Sequence, residues 1–421
     1  VIDLVYKYQE PVFDPSDPAS ANLAAMIGAQ LALNYGLFFR RIVFHGVFDA
    51  ADRRFLQDMT DNTSREIYVK KFLEPNPFLI GDAADMTVVR KPRYTNAVLE
   101  FPDASPGAGH GAPSHLKPLP PAVEPPPGRS VAHAILSSGG KDSLLTYGLL
   151  NELGLETHPI YLNESGRHWY TALNAYRHFR DHVPNTARVW VNSDRLFAWM
   201  LRRLPFIRKD FATVRSDEYP VRLWSVAVFL FGALPLLRKR GIGRLLIGDE
   251  YDTTVVSRYR GIPHYNGLYD QSRYFDRALT RYFTRKGWGI RQFSILRPLS
   301  ELMIQTILVT RYPGLQAHQV SCHAAHESGG RILPCGRCEK CRRIVGMLTA
   351  VGADPARCGY GPDQIAACLE ALKRAQVHQE SAGAQHMAWL LSERRVMPCH
   401  VLRSGGFLVH STWHGFSASG E

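Results

Sequence analysis

Ser138-Gly139-Gly140-Lys141-Asp142-Ser143 decides how this chain is read. The six residues follow an apolar run at 131–136 and precede a helix-like stretch at 144–153. A strand, a tight glycine turn and a helix start make a cradle for phosphate. Two adjacent glycines let backbone approach an anion closely. The amides at the helix start point at it with the positive end of the dipole. Ser138, Ser143 and Lys141 add hydroxyl and ammonium donors. Asp142 repels a phosphate unless a divalent cation lies between them. The spacing is not that of the Walker loop, which needs more residues before its Lys-Ser/Thr pair. A plain glycine turn before an ordinary helix is the competing reading, and the flanking strand and helix argue against it.

Working outward, strand-like runs recur at 157–162, 188–191 and 244–247, with helical stretches at 165–179 and 221–240 between them. Such alternation predicts an α/β domain over 131–360: a parallel sheet with helices on both faces. Ligands then bind at the carboxyl ends of the strands, where the strand order reverses. Residues 101–130 are dense in Pro and Gly and read as an exposed linker. Before it, residues 1–100 read as a small α+β domain, with strand-like pieces at 2–8, 41–44 and 66–70 and a helix at 21–34. His45 and Asp49 there read as structural. Residues 361–421 form a C-terminal extension, with a terminal strand expected from 407 onward.

The chain has 421 residues, 45% hydrophobic, enough for sizeable cores. No apolar run reaches membrane-spanning length, and the stretch 223–237 reads as a buried helix. A membrane partner is not expected, and a cytoplasmic location is. The formal net charge of +12 favours anionic partners such as ATP, a phosphorylated metabolite or nucleic acid. Basic clusters at Arg202-Arg203, Arg208-Lys209 and Arg342-Arg343 read equally well as a solvated surface.

Four of the seven cysteines lie close together, at Cys322, Cys335, Cys338 and Cys341. Three sulfurs on a Cys-Gly-Arg-Cys-Glu-Lys-Cys turn, with a fourth from an upstream loop, suit tetrahedral Zn(II). Four protein ligands make that zinc structural, and Arg337, Lys340, Arg342 and Arg343 offset its thiolate charge. An iron–sulfur cluster is the main competitor. His323 and His326 are substitute ligands or plain surface histidines. Cys358, Cys368 and Cys399 show no ligand spacing.

The hexapeptide resembles the SGGxDS signature of the PP-loop ATP pyrophosphatases, a superfamily with an adenine-nucleotide alpha-hydrolase-like, Rossmann-like fold. With the late cysteine cluster, residues 131 to 345 resemble 7-cyano-7-deazaguanine synthases. That family adenylates a carboxylate on a deazaguanine, releasing pyrophosphate and AMP, and converts it with ammonia to an amide and then a nitrile. This chain departs from it in the added N-terminal residues and in Lys141, where those synthases usually carry an apolar residue. A second resemblance is to the UDP-N-acetylmuramoyl-L-alanyl-L-glutamate epimerases, through the loop, the cysteines and Phe293-Ser294-Ile295-Leu296-Arg297-Pro298-Leu299-Ser300-Glu301-Leu302. Those enzymes invert a terminal glutamate through its adenylate. A tRNA-modifying PP-loop enzyme and a non-catalytic zinc-stabilised module are further alternatives.

The resemblance implies ATP, Mg(II) and Zn(II) as cofactors and a small carboxylate as acceptor, with nucleic acid a less favoured partner. Ser138, Gly139, Gly140 and Ser143 would hold the departing pyrophosphate, and Lys141 would neutralise charge on it. Asp142 would bind Mg(II), with Asp249 or Glu250 beside it, although these two also read as a plain helix-start acid pair. Asn163, Glu164 and Ser165 should share that rim. His264, Arg273, Arg297 and Glu301 are candidate acceptor contacts, with a buried ion pair the competing reading for Arg297 and Glu301.

Overall fold

The computed structural model describes residues 2–103, 131–164, 166, 169–214, 219–322, 324–374, 381–397, 403–404 and 407–408. Most of the expected linker, Ser165, His323, Cys399 and 409–421 lie outside them. In chain order the strands used below are β1 (Tyr6–Tyr8), β2 (Arg41–Val43), β3 (Val98–Glu100), β4 (His133–Ser137), β5 (Thr157–Glu164), β6 (Ala187–Val191), β7 (Arg244–Leu246), β8 (Val256–Tyr259), β9 (Ile262–Tyr265) and β10 (Arg291–Phe293). The helices used below are α1 (Pro18–Ala29), α2 (Ala50–Ile67), α3 (Lys141–Glu152), α4 (Trp169–His182), α5 (Ser193–Leu201), α6 (Val226–Lys239), α7 (Arg273–Arg285), α8 (Glu301–Arg311), α9 (Pro313–Gln316), α10 (Glu339–Ala350), α11 (Pro362–Leu372) and α12 (Ser381–Glu393).

Six strands form one sheet in the order β1-β6-β5-β4-β7-β10. Neighbours from β6 to β10 run parallel, and β1 is antiparallel at the β6 edge. From β4 the chain winds outward through β5 and β6, then returns to the other side of β4 for β7 and β10. The order therefore reverses between β4 and β7, which opens a crevice at their carboxyl ends.

Strand side chains alternate between two covered faces. Ala134, Ile160, Val189 and Leu245 belong to the core that contains α6 and α7. Tyr161, on the opposite face, packs with Leu144 of α3, Phe179 of α4 and Leu308 of α8. Burial on both faces explains the unbroken apolar run at 159–162 in the middle of β5. Helix α6 is buried nearly all round, as its unbroken apolar run demands.

The first hundred residues share a core with the sheet. Leu23, Met26, Phe55 and Met59 pack in one cluster with Phe231, Leu234, Phe275 and Tyr282. A capping box of Asp49 and Asp52 starts α2. The expected strand at 66–70 is instead the end of α2 and a π-helical turn, Tyr68–Leu73. The β-branched and aromatic run Ile67-Tyr68-Val69 favours a strand locally, but all three side chains are buried against this core. Helices α10, α11 and α12 enclose a second core around the cysteines.

Candidate active site

The glycine turn lies between β4 and α3, at the mouth of the β4/β7 crevice. Gly139 has a φ of +72°, and a Cβ there would stand 2.8 Å from the Ala172 backbone of α4. Only glycine meets both demands. Gly248, just past β7, is constrained by space alone: a Cβ would fall 2.5 Å from the Asp142 Cβ. Loss of side chains at these two positions lets the loop after β4, the loop after β7 and the start of α4 close on one another. The carboxyl ends of the central strands bound a cavity of about 290 Å³, whose wall includes Ser138, Asp142, Ser143, Glu164, Gly248 and Gln271.

Lys141 is buried, and its ammonium stands among carboxylates rather than on the cavity wall. Nζ lies 2.8 and 3.0 Å from the Asp142 oxygens, 3.1 Å from Glu250 Oε2 and 3.4 Å from Glu301 Oε1. Burial pushes the Lys141 ammonium down, but the three carboxylates outweigh it and raise its pKa overall. Burial pushes Glu250 up to about 8, against the pull of Lys141. Arg343 of α10 approaches the same cluster, with Nε 3.6 Å from Glu301 Oε1. Sequence reasoning missed Arg343 as a site residue, since it read only as counter-charge for the thiolates.

Asp249 is fully buried, and burial raises its carboxyl well above the usual range despite the Arg297 guanidinium 3.3 Å away. Arg297 also donates to Asp276 Oδ2 at 2.6 Å, Thr253 Oγ1 at 2.7 Å and the Gln271 carbonyl at 2.7 Å. That bonding makes Arg297 a strut that ties the loop after β7 to α7, the ion-pair reading of this residue. Glu301 opens α8 behind the Ser300 cap and faces Lys141. Arg273 is exposed at the start of α7. His264 sits on the β8–β9 hairpin, its Nδ1 3.2 Å from the Tyr265 carbonyl, and burial holds its pKa down. Neither His264 nor Arg273 lines the cavity. Asn163 and Glu164 end β5 on the rim, and Glu164 faces the cavity.

Sγ atoms of Cys322, Cys335, Cys338 and Cys341 all lie within 4.8 Å of one another. Three of the separations are 3.5, 3.8 and 3.8 Å. Thiolates bound about 2.3 Å from one tetrahedral ion stand about 3.8 Å apart, so the donors fit a single zinc. Sulfurs this close leave no room between them for a polynuclear iron–sulfur core. The Cys335 and Arg337 amides point at Cys322 and Cys335 sulfurs, at 3.3 and 3.4 Å. Cys358 and Cys368 are buried elsewhere and bond to Gln316 and the Gly336 carbonyl. The segment before Cys322 passes near the glycine turn. Ser321 Oγ would be 3.9 Å from a Cβ on Gly140, and the helix that carries Cys341 carries Arg343.

Two known proteins similar to this chain share a name. A 7-cyano-7-deazaguanine synthase of Chlorobium luteolum is 29% identical over 224 residues, 50% of this chain and 88% of the relative. A 7-cyano-7-deazaguanine synthase of Chlorobium phaeobacteroides is 37% identical over 62 residues, 15% of this chain and 27% of the relative. No family model matches the chain. Among the described residues no helix is long and apolar enough to cross a membrane.

Proposed function

We propose that this chain is an ATP-dependent PP-loop enzyme that adenylates a carboxylic acid, in the manner of a 7-cyano-7-deazaguanine synthase. The observation that carries this reading is the placement of Gly139. A left-handed glycine, wedged against α4 at the strand-order reversal, leaves the start of α3 on the cavity wall, where its amides would meet a phosphate.

In this reading the amides at the start of α3, with Ser138 and Ser143, hold the β- and γ-phosphates. The acceptor's carboxylate oxygen attacks the α-phosphorus, and the bond to the pyrophosphate oxygen breaks. Lys141 turns from its carboxylates to meet the leaving charge. Asp142, on the cavity wall, would hold Mg(II), with Glu250 beside it once its proton is lost, and the ion would supply further neutralisation of the phosphates. Ammonia then attacks the acyl carbon and AMP departs. Arg297 fixes the acidic loop and does not touch the acceptor. Zinc in the four-cysteine site would be structural, steadying the segment that carries Ser321 and the helix from which Arg343 reaches Glu301.

Pyrophosphate exchange tests the step. With Mg-ATP and 7-carboxy-7-deazaguanine, the protein is expected to move labelled pyrophosphate into ATP, and Asp142→Ala to abolish the exchange. Exchange that needs no acid, or that survives in Asp142→Ala, contradicts the assignment.

A further inference from the structure

The β1 edge of the sheet carries a face of cations and rings. Along β6, Ala187 and Val189 are buried in the core that contains α6, while Arg188 and Trp190 turn to the opposite face and are half-buried. Lys7 of β1 is the register partner of Trp190 and is exposed beside it. With Tyr8 and Gln9 these three line an open hollow of about 420 Å³, and no carboxylate stands on its wall among the described residues.

Both cations rest on rings instead of acids. Lys7 Nζ lies 5.2 Å from the centre of the Trp190 ring. The Arg188 guanidinium lies 5.4 and 5.8 Å from the ring centres of Trp169 and Tyr176, on α4. Neighbouring arginines do find carboxylates. Arg180, one turn past Tyr176, pairs with Asp181 at 2.8 Å, and Arg240 pairs with Glu10, next to Gln9, at 2.6 Å. The deficit of acid is therefore local to this face. A ring at an exposed site holds a cation weakly and leaves its charge uncompensated. Trp169 is also a wall residue of the larger cavity, so the face runs from the sheet edge to the carboxyl ends of the central strands.

We propose that this face binds single-stranded nucleic acid, with a base stacked on Trp190, phosphates on Lys7 and Arg188, and the strand leading past Trp169 toward the larger cavity. Alternating charge and ring is what such a strand matches: bases stack on aromatic side chains and the backbone follows the cations. Residues two apart on one strand face stand about 7 Å apart, so Arg188 and Trp190 meet successive parts of an extended chain. A base takes the place of the Lys7 ammonium on the Trp190 ring, and the ammonium moves to a phosphate. The net charge of +12 draws a polyanion to the molecule, and the local lack of acid directs it here. β1 belongs to the first hundred residues, outside the stretch that resembles the synthases, so the added region completes this face by supplying Lys7. The proposal does not depend on the adenylation step.

Fluorescence anisotropy of a labelled oligouridylate of about twelve nucleotides, titrated with the full chain at several salt concentrations, tests the face. Lys7→Gln and Arg188→Gln are each expected to reduce the slope of log affinity against log salt by about 0.7, the release of one phosphate contact. Trp190→Leu is expected to weaken binding about tenfold and leave the slope as it is. Polyglutamate of the same length is expected not to displace the oligonucleotide. No binding of oligouridylate at about 0.1 M salt overturns the proposal. Displacement by polyglutamate overturns it in favour of an acidic protein partner. Affinity and slope that none of the three substitutions moves place the strand elsewhere and overturn it as well. Thermal melts report whether Trp190→Leu folds; where it does not, the two slope changes decide.

Discussion

The four-sulfur cluster and the glycine loop lie on neighbouring segments, yet they manage charge in opposite ways. The sulfurs stand at the spacing of one tetrahedral ion, with amides turned toward them. The loop's carboxylates, on Asp142, Glu250 and Glu301, close instead around an ammonium from the same chain. One site is shaped for a metal that stays. The other neutralises itself until a ligand arrives. On the proposed reading, the two sites differ in whether the protein supplies part of its own counter-charge.

The largest expected effect falls on the sulfur side of this comparison. Cys338→Ser, or removal of the metal with a chelator, deprives the segment around α10 of a contribution on the order of 10 kcal/mol. Native mass spectrometry is expected to show one zinc lost and the melting temperature to fall steeply. Exchange activity is expected to disappear with it, because Ser321 and Arg343 lose their anchor. Full activity in a zinc-free protein would separate the two sites.

On the loop side, Gly139→Ala meets a left-handed backbone and the Ala172 backbone at once. The strain is expected to cost about 1–3 kcal/mol, with pyrophosphate exchange falling far more than melting temperature. Equal stability and equal exchange would mean that the turn is not held as described.

A smaller effect concerns pH. Burial raises the Glu250 carboxyl in the folded protein from 4.5 to about 8, although the Lys141 ammonium pulls it down. Between those values the unfolded chain releases a proton that the folded chain keeps, so stability falls as pH rises. Glu250→Gln is expected to flatten that slope: more stable than the parent at pH 8, little changed at pH 4.5. An identical slope in thermal melts at both pH values contradicts the burial of this carboxyl among its neighbours.

Much of this was legible in the sequence, for physical reasons. Strands buried on both faces carry short apolar runs, as at 134–136 and 159–162, so the central sheet announces itself. The glycine turn and the cysteine spacing are local, and local geometry survives in letters. Ile67-Tyr68-Val69 misled, because packing against a distant core overrode β-propensity. The Lys141 cluster draws on residues 109 and 160 positions apart, Glu250 and Glu301, and no spacing rule reveals such a meeting. Asn34 gripping Leu223 and Trp224 is of the same kind: long-range, single-residue and silent in any window of sequence.

The central claim is that an acid's carboxylate takes AMP at the loop after β4. 7-Carboxy-7-deazaguanine labelled with ¹⁸O in its carboxylate, incubated with Mg-ATP and ammonia, tests it directly by mass spectrometry of the nucleotide. AMP carrying one labelled oxygen, with unlabelled pyrophosphate, is the predicted result; unlabelled AMP, or ADP with inorganic phosphate, would contradict it.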